Sequence, residues 1–267
     1  MQSRDKAEST RNLVWDSPVR LSHALFALAF GGAFIMAKTS DQGWAFAIHM
    51  VLGLLMVAVV LFRVVWGFVG GRYARFAHFS WKPAALVAYL TGVLTGRDSR
   101  HVGHNPATSY AVVVMFLLAL GIGASGLLMS RGAGEQLEEV HELLVFTLLG
   151  VALLHVAGVA VHLLRHRDDL VLSMIDGKKA VASADSAARP AWGAAVVLAA
   201  LAAGILGLGL AGYEPNNGAV VIPGIGWQLG ASEHEEHGEH EEHGERGHRK
   251  PGERRGHHEH EEHEDDD

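Results

Sequence analysis

The chain has 267 residues, 49% of them apolar, and 22 Lys and Arg against 29 Asp and Glu, for a formal net charge of −7 at pH 7. It contains no cysteine, which excludes disulfides, thiolate metal sites, iron–sulfur clusters and thioether attachment of a prosthetic group. The acidic excess is confined to one end: residues 231–267 hold 15 acids, five bases and nine of the 18 histidines, leaving a mildly basic body of 14 acids and 17 bases. That body is dominated by apolar runs of membrane-spanning length, so a soluble core is excluded and no nucleic-acid partner is expected.

Five spans follow in chain order, at about Val19–Ala37, Trp44–Val69, Thr108–Met129, Val140–Leu164 and Ala191–Tyr213. The first has no convincing small-residue cleavage site and reads as a retained signal anchor. Pro83–Leu94 is apolar but too short to cross, and is expected to lie at the interface. Ala211–Ser232, rich in glycine and containing Pro215 and Pro223, reads as an extended linker. Glu233–Asp267 has almost no apolar residue and is expected to be disordered.

The expected organisation is therefore an all-α membrane protein. Residues 1–18 form a cytoplasmic N-terminal segment and 19–180 a four-helix transmembrane core. Residues 181–213 supply a linker and the fifth helix, and 214–267 an extracytoplasmic linker and tail. Orientation follows from Lys and Arg counts in the successive short segments, which run four, one, five, one and five. Basic residues stay on the cytoplasmic side, so the N-terminus is expected in the cytoplasm and the C-terminus outside, in the periplasm of a bacterial inner membrane.

Histidines inside or at the mouths of the spans carry the chemistry. His23, His49, His141 and His155 stand in segments where hydrocarbon penalises an unpartnered imidazole. His141 and His155 are fourteen residues apart on one helix, about 21 Å and nearly one face. With spans alternating in direction, His49 matches the depth of His141 near the outer surface. His23, near the cytoplasmic side, falls between His155 and His162, and depth does not choose between them. Two depth-matched pairs of imidazoles suggest two haem groups stacked across a bilayer, non-covalently held and therefore of b type. Gly53 and Gly158 would leave room for a flat macrocycle. The bland alternative is that each histidine bonds a carbonyl or hydroxyl across a helix interface.

The sequence resembles the bacterial di-haem cytochrome b family, which includes cytochrome b561 and the membrane cytochrome b subunits of nickel–iron hydrogenases. The resemblance rests on W-D-S-P-V-R-L-S-H (Trp15–His23), H-M-V-L-G (His49–Gly53) and R-V-V-W-G-F-V-G-G-R-Y-A-R-F (Arg63–Phe76). It continues through G-H-N-P (Gly103–Pro106) and V-H-E-L-L (Val140–Leu144), followed by His155. It implies that His23 and His155 ligate the cytoplasmic-side haem, and His49 and His141 the outer one. The fifth helix and the tail lie outside the resemblance.

Other candidates follow on chemical grounds. Arg20 and Arg63 could pair with haem propionates. His101, His104 and Asn105 could contact a quinone, the competing reading being a turn before a helix with Pro106 at an early helical position. His78 reads as a surface residue. His234, His237, His240 and His243, three apart among carboxylates, could bind zinc, nickel or copper.

The expected function is electron transfer across the membrane between the quinone pool and an extracytoplasmic partner such as a c-type cytochrome. Alternatives are a membrane anchor subunit of a hydrogenase or dehydrogenase and, from another class, a metal transporter or sensor. The protein is thus an electron carrier or a subunit of a redox complex, and a homodimer is compatible with this reading.

Overall fold

The computed structural model describes residues 11–39, 43–97, 101–132, 134–167, 169–180, 188–215, 218–222 and 227–229. The chain divides into two units, Met1–Ser232 and Glu233–Asp267. The second, with the tail histidines His234, His237, His240 and His243, lies outside the described residues.

The first unit is built on α-helices: α1 (Ser17–Ala37), α2 (Gly43–Val69), α3 (Pro83–Thr95), α4 (Pro106–Met129), α5 (Glu135–His166), α6 (Leu170–Asp176) and α7 (Trp192–Ala211). Of these, α1, α2, α4, α5 and α7 are long and apolar enough to span a bilayer. Their bounds lie within a few residues of the expected spans, except that α5 begins five residues earlier. The helix α3 is the expected short apolar segment.

Helix starts follow local chemistry. The Asp16 carboxylate accepts from Val19 N at 3.0 Å, with Pro18 in the first turn of α1. Asn105 does the same for Thr108 N at 2.8 Å, with Pro106 opening α4. In both, a side-chain oxygen satisfies a helix N–H that has no intrahelical acceptor. Gly96 ends α3 with φ of 73°, a left-handed conformation that glycine adopts without steric cost.

Helix α2 is the hub. It packs on α1, α4 and α7, while α5 packs chiefly on α4. The core joins Ala29 of α1, Leu55, Met56, Val59 and Val60 of α2, Ala119 and Ile122 of α4, Leu148 of α5, and Leu198 and Ala202 of α7. Small residues let the backbones approach: a Cβ on Gly209 would meet Val51, and one on Gly123 would meet Val57. Close packing of this kind holds membrane helices together where lipid removes the hydrophobic drive between them. Large outward residues such as Leu28, Phe68, Leu154 and Leu164 remain exposed, as a lipid-facing surface requires.

Two small sheets depart from the sequence expectation. Strand β1 (Arg11–Leu13) pairs antiparallel with β2 (Lys178–Ala180), and Val14 N and Trp15 N both donate to Gly177 O. Arg11 adds ion pairs to Asp169 and Asp176. The segment expected to be a simple N-terminal extension is thus sewn to the chain leaving α6. The stretch read as an extended linker instead pairs, through β3 (Val220–Ile222) and β4 (Trp227–Leu229). Tyr213 bridges to Val220, and Val221 N donates to Gly212 O. Strand-forming Val220, Val221 and Ile222 outweigh the glycines around them.

Candidate functional site: two histidine pairs in a helical bundle

At one end of the bundle α2 presents His49 and α5 presents His141. Their rings lie 6.3 Å apart, centroid to centroid, at 63°. His49 Nδ1 is 2.9 Å from Ala33 O. A carbonyl only accepts, so Nδ1 carries the proton and Nε2 keeps its lone pair. His141 Nδ1 is 3.0 Å from Ser125 Oγ. That hydroxyl lies 3.0 Å from the carbonyls of both Gly121 and Ile122 in α4; with its single proton directed to either, its oxygen accepts from His141 Nδ1. Both rings are held in one tautomer, each with Nε2 available as a ligand. Locking the second nitrogen in this way sets the orientation of metal-binding histidines. Gly126 passes close to the His141 ring, where an added Cβ would lie 3.4 Å from Cε1. Phe46 stacks on His49 at 6.3 Å.

Four of these residues carried no signal in the sequence reading. Ala33 contributes only backbone, and Ser125, Gly126 and Phe46 are ordinary membrane-helix residues. Ser125 and His141 are sixteen positions apart across a turn, so only the antiparallel packing of α4 on α5 joins them.

Toward the other end, His23 of α1 and His155 of α5 lie within electrostatic reach of one another. His162 packs against His166 on its own helix, ring centroids 4.5 Å apart. A Cβ added at Gly53 or Gly158 would meet nothing within 4 Å, as at Gly31 and Gly150. Among the described residues no group of three or more His, Asp or Glu could hold a metal ion; the histidines meet in pairs.

Charge separates the two ends. Around His23 and His155 stand Arg63, Lys179 and His104, which interact electrostatically with one another or with His155. Arg63 is buried in α2; one terminal nitrogen donates to Ala74 O at 3.0 Å and the guanidinium lies over Phe76. Arg20 donates to Ile175 O and to Ser17 Oγ, tying α1 to α6.

His104 does not stand in an open turn. Its ring packs 4.8 Å from Trp15 and 4.5 Å from Phe79. Burial first, then the positive charges of Arg63 and Lys179, push its pKa down to about 3. Asn105 caps α4, and its amide donates to Tyr89 Oη at 3.0 Å. His101 lies edge-on to Tyr89 and lines, with Tyr89, Arg97 and Pro106, a cavity of about 250 Å³ beside α3. His78 is exposed, as expected.

With this geometry in place, comparison with known proteins is decisive on family. A model of the prokaryotic cytochrome b561 family matches residues 14–177. The chain belongs to that family. It is a multi-pass membrane b-type cytochrome, a haem-binding electron-transfer protein. It is 25% identical to a probable Ni/Fe-hydrogenase B-type cytochrome subunit of Rhizobium leguminosarum bv. viciae over 209 residues, covering 62% of this chain and 87% of that one. A protein of the same description from Rhodobacter capsulatus is 23% identical, covering 66% and 86%. The probable Ni/Fe-hydrogenase 1 B-type cytochrome subunit of Escherichia coli K12 is 29% identical, covering 40% and 55%. No solved structure matches. Helix α7 and everything after it lie beyond the family match.

Proposed function

We propose that the chain holds two haem b groups, one on His49 and His141 and one on His23 and His155, and carries electrons through the membrane. The observation that carries this reading is the His49–His141 pair, two facing imidazoles whose Nδ1 atoms are both engaged and whose Nε2 atoms both remain ligands. When bound, haem b supplies a one-electron iron couple. The chain supplies two histidines to each group, which leaves no protein-side position for oxygen and favours electron transfer over oxygen chemistry. The fourteen-residue step from His141 to His155, about 21 Å, sets the two pairs toward opposite faces of the membrane.

The basic-residue pattern supports a cytoplasmic N-terminus and an outer His49–His141 pair in a bacterial inner membrane. On this reading electrons pass between the quinone pool, for which the His101–Tyr89 cavity is the candidate docking place, and an extracytoplasmic redox partner. The relatives' descriptions favour one form of that partner, a hydrogenase-type enzyme with this chain as its membrane cytochrome subunit, over a free c-type cytochrome. Affinity purification from native membranes tests the choice. A stoichiometric large redox subunit supports the anchor role, and its absence, with reduction by a c-type cytochrome, supports the free carrier.

The His/Glu-rich tail is proposed to bind zinc, nickel or copper independently of the redox core. Calorimetry on a peptide spanning 233–267 should show binding at neutral pH and weaker binding near pH 5, where protons compete for the imidazoles. No binding at neutral pH would leave the tail as a solubilising segment.

A further inference from the structure

The guanidinium of Arg63 is an expensive group to place inside a membrane helix. It is 5% exposed, and its Nη1 finds no hydrogen-bond acceptor. Trp15, 3% exposed, has an Nε1–H in the same condition. Buried donors are nearly always paired, and these two belong to one cluster. The Trp15 ring touches His104, Lys179 Nζ lies 5.3 Å over the same indole, and His104 is within electrostatic reach of Arg63 and Lys179. The anion nearest to Arg63, Asp16, is already engaged: one carboxylate oxygen caps α1 and the other accepts from Trp66 Nε1 at 3.1 Å. The cluster keeps a surplus of two buried donors, Arg63 Nη1 and Trp15 Nε1, beside Lys179, whose Nζ donates to Val102 O at 3.2 Å.

Depth places this surplus. Arg63 follows His49 by fourteen residues, the same step that separates His141 from His155. Helices α2 and α5, the second and fourth spans, run in the same direction. With His49 and His141 side by side, Arg63 stands at the level of His155, about 21 Å deeper.

We propose that Trp15, Arg63, His104 and Lys179 form a carboxylate-binding site at the level of the inner histidine pair, and that its occupant is a propionate of the inner haem. The proposal rests on the two-haem reading above and extends it by naming the groups that hold that haem's acidic edge. A guanidinium matches a carboxylate in shape as well as charge. An indole N–H and an imidazole add directional donors. Because Arg63 and Trp15 are enclosed, the carboxylate reaches them from within the bundle rather than from the lipid headgroup layer.

The test measures haem loss from the purified full-length holoprotein to excess apomyoglobin. The inner haem is the one that His141→Ala retains. Arg63→Gln should release the inner haem at least tenfold faster and leave the outer one unchanged; Trp15→Phe and Lys179→Gln should act in the same direction with smaller factors. Protein loaded with the dimethyl ester of haem, which lacks free carboxylates, should release it at one rate whether residue 63 is Arg or Gln. Unchanged release of native haem in Arg63→Gln overturns the proposal, as does an equal acceleration with the ester. Unchanged haem release with loss of co-purifying phospholipid would show a lipid site and also overturns it. Should Arg63→Gln fail to fold, the other two variants decide, and unaltered release in both overturns the proposal. Wild type without haem would instead defeat the two-haem reading itself.

Discussion

The two halves of the bundle hold their histidines by different means. At His49 and His141, neutral groups do the work: Ala33 O and Ser125 Oγ each take one imidazole N–H. Near His23 and His155 the surroundings are charged and aromatic, with Arg63, Lys179, His104, Trp15 and Phe79 gathered by the β1–β2 pairing and the segment before α4. The first arrangement fixes ring orientation at little electrostatic cost. The second sets one buried cation, Arg63, near the buried carboxylate of Asp16 and leaves Arg63 Nη1 and Trp15 Nε1 without acceptors. Neutral hydrogen bonds set ring geometry; on the proposal above, unpaired buried donors select an acidic edge.

Removing the histidines should have the largest effect. His49→Ala and His141→Ala should each abolish the same haem, and His23→Ala and His155→Ala the other, halving the haem content measured by pyridine haemochrome. His162→Ala should retain both. Optical spectra showing that His49→Ala and His141→Ala remove different haems would undo the outer pairing, and haem loss in His162→Ala with retention in His155→Ala would reassign the inner ligand.

A smaller effect separates orientation from ligation. Ser125→Ala leaves His141 in place but removes its hydrogen-bond partner, a kind of loss that costs about 10- to 100-fold in metal affinity. Haem release from the outer pair should accelerate by a factor in that range, with the inner haem unaffected. Equal release in wild type and variant would show that packing alone orients His141.

The smallest effect concerns His104. Its folded-state pKa, about 3, lies below the ordinary 6.5, so the unfolded chain binds the proton more tightly. Stability is therefore full above about pH 6.5 and falls as pH drops toward 3, by at most about 1.4 kcal/mol per pH unit from this group. Thermal melts of haem-free His104→Phe in detergent between pH 7 and 5 should show a shallower decline than haem-free wild type. Parallel declines would mean that His104 is not held neutral by its surroundings.

Much of this architecture can be read from residue order. The spans are legible because their apolar runs match a bilayer's thickness, and α3 because it does not. The His49–His141 pairing is legible because spans alternate in direction and depth follows residue count. What the order conceals is side-chain company. Ser125 and Ala33 look like any small membrane residues, and for His101, His104 and Asn105 the order leaves a quinone contact and a turn before a helix equally open. The structure packs His104 between Trp15 and Phe79 and gives Asn105 to the start of α4, because the β1–β2 pairing and α3 fold over that turn. The hairpin β3–β4 was hidden by glycine and proline, whose turn preferences mask a three-residue strand.

Two non-covalent haem b groups on four histidines of one chain fix the haem content to be found. Pyridine haemochrome analysis of the purified full-length protein, set against protein concentration from amino-acid analysis, should give about two haem b per chain, all extractable with acidified acetone. One haem per chain, or none in well-folded protein, would leave the four histidines without the role proposed for them.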